Sequence, residues 1–440
     1  MSNRKRIYLC LAKMSEAGWE QKYIQEAFDT NWVAPLGANV NGFEEDLKRF
    51  LCEMPGQAGH DEGGQAGHDE KHNVQREVLA VSSGTSAIHL ALMLLGVGPG
   101  DEVLVQSFTF CASANPVVYL GATPVFVDSE CDTWNMDPCL LEAAIRDRMA
   151  KTGKKPKAIV PVTLYGMPYQ ADKILAVAER YGIPVVEDTA ESLGSKYRGQ
   201  NLGTFGKFGV LSFNGNKIIT TSGGGALICP DKETKNKALW YATQARESFP
   251  FYQHEAVGFN YRLSNICAGI GRGQMHVLED NLAHHKHVQK LYEQMLADVP
   301  GVRVHGNPEM PGQAGHDEGG QAGHDGKNPF DSNFWLCTIT LDPSLRIVGQ
   351  EKAYADSPRV ECEPDDNVEA LRAYMDAAGI EARPLWKPLH KQPVFAGAPA
   401  YTNGVSESIF KVGMCLPAGP YVSDDDVKYI VETIKNAIVA

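Results

Sequence analysis

Early in the chain, apolar positions recur at helical spacing. From Glu16 to Asp29 the side chains of Trp19, Tyr23, Ile24, Ala27 and Phe28 share one side of a helix, which predicts an amphipathic element. Asn31 to Gly37 breaks the repeat with Pro35 and Gly37, and Val40 to Leu51 resumes it. Glu77 to Ser82 then reads as a strand that stops at Ser83-Gly84-Thr85-Ser86 and passes into a helical run, Ala87 to Leu95. From there the pattern alternates. Val103–Val105, Pro124–Val127, Ala158–Val162 and Ile183–Glu187 are strand-like, while Pro138–Met149 and Ala171–Tyr181 are helical. This rhythm predicts an α/β fold whose large domain, residues 1–270, has a mainly parallel central sheet flanked by helices. Ligands of such sheets gather at the carboxyl ends of the strands. A helix expected over Lys232–Arg246 follows, and then a long helix from Asn265 towards Leu296. The long helix is expected to lead into a smaller C-terminal α/β domain, residues 271–440. There Asn333–Leu341 reads as a strand and Val368–Ala378 and Asp424–Ile438 as helices, while Glu351–Asn367 is polar and without a defined element.

Two stretches have no hydrophobic period. Glu53–Asp69 and Glu309–Asp325 are the same string, and each repeats Gly-Gln-Ala-Gly-His-Asp within itself. Nearly free of apolar residues, they cannot offset the entropy of ordering, so 53–70 and 309–326 are expected to be mobile surface loops. Their His-Asp pairs (His60, His68, His316, His324) invite a metal reading, but nothing in so glycine-rich a chain preorganises ligands, and no metal site is expected.

Composition narrows the function. A net charge of −13 without a Lys/Arg block argues against nucleic-acid binding. The apolar run Ile7–Ala12 ends at Lys13, too short for a signal peptide, and no stretch approaches a membrane span. The 10 cysteines form no Cys-x-x-Cys pair, which points to a reduced, cytoplasmic enzyme.

The chemistry is concentrated around one lysine. Lys217 has no charged neighbour between Val210 and Pro230, follows Ser212 and precedes Gly223-Gly224-Gly225. Partly apolar surroundings ease an amine towards its neutral, Schiff-base-forming state, although a buried hairpin with an outward-reaching lysine would carry the same pattern. Ser83-Gly84-Thr85-Ser86 can present free backbone N–H groups and hydroxyls to a phosphate at a helix start, or be an ordinary N-cap by Ser83 or Thr85. Asp188 closes an apolar strand, and Phe108 and Phe110 follow another. A phosphate cradle, an aromatic face, a strand-end carboxylate and a semi-buried amine together fit pyridoxal 5'-phosphate.

Ser212-Phe213-x-x-x-Lys217, placed after Glu187-Asp188 and before the glycine triplet, resembles the DegT/DnrJ/EryC1/StrS sugar-nucleotide aminotransferases, which are fold-type-I pyridoxal-phosphate enzymes. Ala34–Gly37, Ser107–Ala112, Phe213–Gly225, Thr243–Glu247 and Arg383–Lys387 resemble more closely the UDP-4-amino-4,6-dideoxy-N-acetyl-D-glucosamine transaminases of bacillosamine synthesis. The resemblance implies that Lys217 carries the Schiff base and moves the proton, that Asp188 partners the pyridine nitrogen, and that Ser212 with Gly84, Thr85 and Ser86 holds the phosphate. It further implies that Phe110, or else Phe108, stacks on the ring, and that Asn260 reaches the cofactor of a partner subunit in a homodimer with shared sites. Asn31, Trp32, Val33, Ala34, Arg383, Trp386 and His390 are expected to line the site of the nucleotide sugar, with L-glutamate as amine donor. Many members carry glutamine three residues after the aspartate, where this chain has Glu191. A carboxylate beside the cofactor's phenolic oxygen would be protonated, turned away or bridged by water. Deoxysugar dehydratases of the same fold have histidine at the lysine position, so Lys217 argues against that activity.

Overall fold

The computed structural model describes residues 5–52, 75–308, 328–355 and 358–439, and both repeated tracts lie outside them. Helices α1 (Trp19–Asp29) and α2 (Ala38–Cys52) precede β1 (Glu77–Val81) and α3 (Gly84–Leu94). β2 (Glu102–Gln106), α4 (Asn115–Tyr119), β3 (Thr123–Val127), α5 (Pro138–Thr152), β4 (Ala158–Val160), α6 (Ala171–Tyr181) and β5 (Val186–Asp188) follow. The short strands β6 (Lys196–Tyr197) and β7 (Gln200–Asn201) separate these from β8 (Phe208–Ser212), β9 (Gly225–Cys229) and α7 (Lys232–Ala242). The rest comprises α8 (Asn265–Met275), α9 (Leu278–Leu296), β10 (Val302–Val304), β11 (Phe330–Asp331), β12 (Cys337–Leu341), α10 (Asp366–Ala377), β13 (Arg383–Pro384), β14 (Ala400–Tyr401), α11 (Val405–Val412), β15 (Gly413–Leu416) and α12 (Asp424–Ala437).

One sheet dominates. β1-β9-β8-β5 and β4-β2-β3-β14 join through the parallel bridges Ile159–Val185 and Val162–Asp188. All neighbouring pairs are parallel except those made by β9, which runs against both β1 and β8. The strands are almost wholly buried, as a sheet covered by helices on both faces requires. Helix α3 is apolar nearly all round and correspondingly buried nearly all round, sealing one face of the sheet. The expected parallel sheet is therefore present, and the parallel strands end together at one rim.

The C-terminal core is built differently. β10-β12-β15-β13 is wholly antiparallel, packed with α9, α10 and α12, so this smaller unit segregates helix and sheet instead of alternating them. The 270/271 boundary is also crossed twice. Ile7 bridges Ile380 and packs in the C-terminal core, while β14 supplies the edge strand of the large sheet beside β3.

Two elements depart from the sequence expectation. The helix from Asn265 is broken at His276–Val277, because α8 is pressed against α1 and α2 where glycines permit it. A Cβ on Gly271 would lie 2.7 Å from the Phe43 ring, and one on Gly273 would lie 2.5 Å from Glu20 N. The stretch before β12 is a loop, because Asn333 turns onto its own backbone and accepts the Trp335 N–H at 2.9 Å. Among the described residues, no helix is long and apolar enough to cross a membrane.

Candidate active site

The parallel strands end around one cavity of about 420 Å³. It is lined by Ser82–Thr85 after β1, Thr109–Ser113 (except Cys111) after β2, Val162 after β4, Asp188, Ala190 and Glu191 at the end of β5, and Ser212, Asn214, Asn216 and Lys217 at the end of β8. This is where an open parallel sheet places its ligand.

The cradle is formed by backbone packing. Ser83 caps α3, its hydroxyl accepting the Ser86 N–H at 3.0 Å, and leaves the first-turn N–H groups of Gly84 and Thr85 at the cavity. Strand β9 passes so close that a Cβ on Gly225 would sit 2.4 Å from Gly84 N, which accounts for one member of the glycine triplet. Another, Gly224, lies against Thr221, where a Cβ would meet its hydroxyl at 2.2 Å. Cap and cradle are thus the same turn. Ser86 belongs to the cap only, with its hydroxyl on Ser82 and Ser83 and no share of the cavity lining.

Asp188 is buried at the end of β5, with Oδ2 accepting from Ser113 Oγ at 2.6 Å and Oδ1 from Ala190 N at 3.2 Å. Burial pushes its carboxyl up, while the Ser113 hydroxyl, the Ala190 N–H and the Lys217 ammonium oppose this. Lys217 sits in the loop that joins β8 to the antiparallel β9, so the hairpin reading is right about the topology. The amine, however, turns inward. Lys217 Nζ lies 3.8 Å from the centre of the Trp335 ring and 3.7 Å from Glu191 Oε1. The Trp335 indole N–H donates to Asn216 O at 2.6 Å and so ties the ring to the lysine loop.

Phe110 stands at the cavity mouth beside Trp386, at 5.3 Å between ring centres, whereas Phe108 is fully buried against Trp134. Of the two candidate rings, Phe110 is the one that faces the cavity. Trp386 lines it too, with its indole N–H buried near the Glu191 carboxylate. Trp335, Ser113, Asn214 and Asn216 were not singled out from the sequence. In an apolar run such as Phe334–Leu336, a site tryptophan cannot be told from a core one.

Other expected residues lie elsewhere in this chain. Arg383 is exposed, pairs with Glu381 at 2.8 Å and borders a second cavity on the far side of Trp386. His390 is spent on structure, with Nδ1 at 2.7 Å from Ser107 Oγ and Nε2 at 3.0 Å from Glu407 Oε1. Asn31, Trp32 and Val33 are exposed and Ala34 is half-buried on the α1–α2 connection; Asn260 is exposed beside Thr243. None of these lines the chain's own cavity. Among the described residues, no cluster of His, Cys, Asp or Glu is arranged to hold a metal ion.

The family model for DegT/DnrJ/EryC1/StrS aminotransferases matches residues 69–317 and 343–435. The chain belongs to this family. It is 44% identical over 434 residues to EpsN of Bacillus subtilis (strain 168), assigned as a pyridoxal phosphate-dependent aminotransferase, covering 98% of this chain and 95% of that one. It is 33% identical over 439 residues to the GDP-perosamine synthase of Caulobacter vibrioides, covering 100% of both. A family aminotransferase from Brucella abortus, solved by crystallography, superposes with a TM-score of 0.75 at 28% identity, covering 96% of this chain and 95% of the other. The fold is that of fold-type-I pyridoxal-phosphate enzymes, and the activity is amino-group transfer with pyridoxal phosphate as cofactor.

The residues present fit that cofactor. A backbone cradle with free N–H groups, the buried Asp188 and an amine enclosed in the same cavity form its donor set. Gly84, Thr85 and Ser212 would hold the phosphate, Asp188 the ring nitrogen and Phe110 a ring face. Bound there, the cofactor supplies an aldehyde carbon for an amine and a ring that accepts electrons.

Proposed function

We propose that this chain moves an amino group from L-glutamate to C4 of a 4-keto-6-deoxy nucleotide sugar, with UDP-4-keto-6-deoxy-N-acetylglucosamine the first choice, in the bacterial cytoplasm and in the service of glycan synthesis. The observation that carries this reading is the placement of the Lys217 amine inside an aromatic enclosure, with Trp335 against it and Trp386 and Phe110 beyond. Aromatic faces suit the C–H faces of a sugar ring, and the few polar groups around them would orient its carbonyl. In this scheme Lys217 Nζ takes a proton from one carbon and returns it to another. Asp188, fixed by Ser113 and Ala190, keeps negative charge beside the ring nitrogen.

The UDP choice rests on the motif stretches that resemble bacillosamine-type transaminases, Glu191 among the shared traits. Full-length similarity to a GDP-perosamine synthase favours a GDP-linked 4-keto sugar as the second reading. Incubating the enzyme with L-glutamate and UDP-, GDP- or dTDP-linked 4-keto-6-deoxy sugars separates them. Amination of the UDP sugar at the highest kcat/KM supports the first reading, and preference for the GDP sugar replaces it with the second. A yellow protein inert with every sugar would favour a regulatory role. We further infer a homodimer in which Asn260 and the Asn31–Ala34 connection serve the partner's cavity. The apolar side chains exposed in the loop before Asn260, Phe249, Phe251, Tyr252 and Val257, would be covered by that association. A monomer in sedimentation equilibrium at assay concentration would remove this part.

A further inference from the structure

Two carboxylates of one short segment, Asp188 and Glu191, share the cavity with a single lysine. Their hydrogen bonds divide them. Both Asp188 oxygens have protein donors, Ser113 Oγ and Ala190 N. Glu191 accepts the Tyr165 N–H on Oε2 at 2.7 Å and has the Trp386 indole beside it. Its other oxygen, Oε1, faces Lys217 Nζ at 3.7 Å. Tyr165 holds φ at 54°, a left-handed conformation that costs a bulky residue, and this turns its N–H onto the carboxylate. The Tyr165 hydroxyl accepts the Trp386 N–H at 2.7 Å, so the same residue fixes the carboxylate and the Trp386 wall. Asn333 secures the segment from the other side, donating to Glu191 O at 3.1 Å and Leu193 O at 3.0 Å.

We propose that Glu191 is a positioning residue that acts through Lys217: its Oε1 draws the lysine amine to the Trp335 face and, with the cofactor bound, helps keep a proton on the lysine nitrogen. The two carboxylate oxygens are thereby divided between the lysine and the Tyr165 N–H. The ionisable groups around it are Lys217, Asp188 and Tyr165, with Cys415 at the Tyr165 hydroxyl and Cys10 near Lys217. Both cysteines and Tyr165 are pushed up by burial and stay neutral, so the balance is two carboxylates against one amine. Burial, and to a lesser degree the Asp188 charge, push the Glu191 carboxyl up, while Lys217, the Tyr165 N–H and the Trp386 indole pull it back towards the charged form.

The inference rests on the assignment of Lys217 as the cofactor lysine and not on the sugar. It is tested on the holoenzyme without any substrate, by following its visible absorption against pH, where the protonated lysine–cofactor linkage is yellow and the unprotonated one is not. Glu191→Gln keeps an oxygen for the Tyr165 N–H and removes the charge. Its colour midpoint should fall by roughly one pH unit, the usual effect of losing an opposite charge at this range. Glu191→Ala should shift the midpoint in the same direction and also loosen the Tyr165 turn. An unchanged midpoint in Glu191→Gln overturns the proposal, even if Glu191→Ala is destabilised, because only the tether to Tyr165 would then matter. Should Glu191→Gln not bind cofactor, the Glu191→Ala midpoint decides on the same terms.

Discussion

The floor and the wall of the cavity come from different parts of the chain and have different chemistry. The floor is polar and short-range: Ser83–Thr85, Asp188, Ser212 and Lys217 are all within a few residues of the ends of parallel strands. The wall is aromatic and comes from the C-terminal half, with Trp335 from the loop before β12 and Trp386 from the loop after β13. The floor has what any amino-group transfer on pyridoxal phosphate needs. In the proposed reading, the wall is where the identity of the acceptor is set, apart from that chemistry.

The sharpest test of this division is Lys217→Ala. It should leave a folded protein and lower kcat by roughly 10³-fold or more with every acceptor, because proton transfer and amine exchange use the same nitrogen. Near-normal turnover in that variant, measured with L-glutamate and the preferred sugar, would remove Lys217 from the floor. Asp188→Asn should be milder. The Ser113 and Ala190 contacts can persist around an amide, but the buried negative charge is lost, and kcat should drop about 10²-fold in both half-reactions. An effect confined to one half-reaction would contradict its role as a floor residue. Trp386→Ala should behave oppositely, raising KM for the nucleotide sugar about tenfold while the glutamate half-reaction changes less than threefold, on the order of one lost aromatic contact. Equal losses in both would show that floor and wall are not separable.

A last test leaves the catalytic groups and concerns what supports the wall. His285, on α9, is buried, with Nδ1 at 3.1 Å from Phe334 O next to Trp335, and its Nε2 has no partner. Burial lowers its pKa from 6.5 to about 3, with His284 adding to the effect and the Phe334 carbonyl opposing it. A histidine held neutral in the fold contributes stability that is present above its unfolded value and lost as pH falls. Its share of stability should therefore decline between pH 6.5 and about 3, by about 1.4 kcal/mol per pH unit. Urea unfolding across that window should show a shallower pH slope in His285→Gln, which does not titrate. An identical slope would mean that His285 is not the group responsible.

The contrast also decides what could be read from the sequence. Floor residues announce themselves locally: a hydroxyl-rich turn between strand and helix, an acid closing an apolar run, a lone lysine before three glycines. Each is a break in a hydrophobic pattern, and the parallel sheet brings strand ends together without further information. The wall gives no such break. Trp335 lies in an apolar stretch, and its meeting with Lys217 depends on the Asn333 turn and on the packing of α8 and α9. Arg383 and His390 illustrate the same limit, since composition shows a charge or an imidazole but not the Glu381, Ser107 and Glu407 that engage it. Likewise, helical periodicity runs smoothly through His276. Only the close approach of Gly271 and Gly273 to α1 and α2 explains the break there.

The crossing of segments between the two cores has a practical consequence for anyone who would divide the protein. A gene cut after codon 270 would leave the first fragment with β3 as a bare sheet edge where β14 belongs, and the second without the Ile7 segment that pairs with Ile380. Each half would carry a pairing segment that the other lacks. Neither should be well behaved when expressed alone, since an unpaired edge invites association. Produced together, each would supply the piece the other is missing, and pyridoxal-phosphate binding by the mixture but by neither fragment would show that they had met.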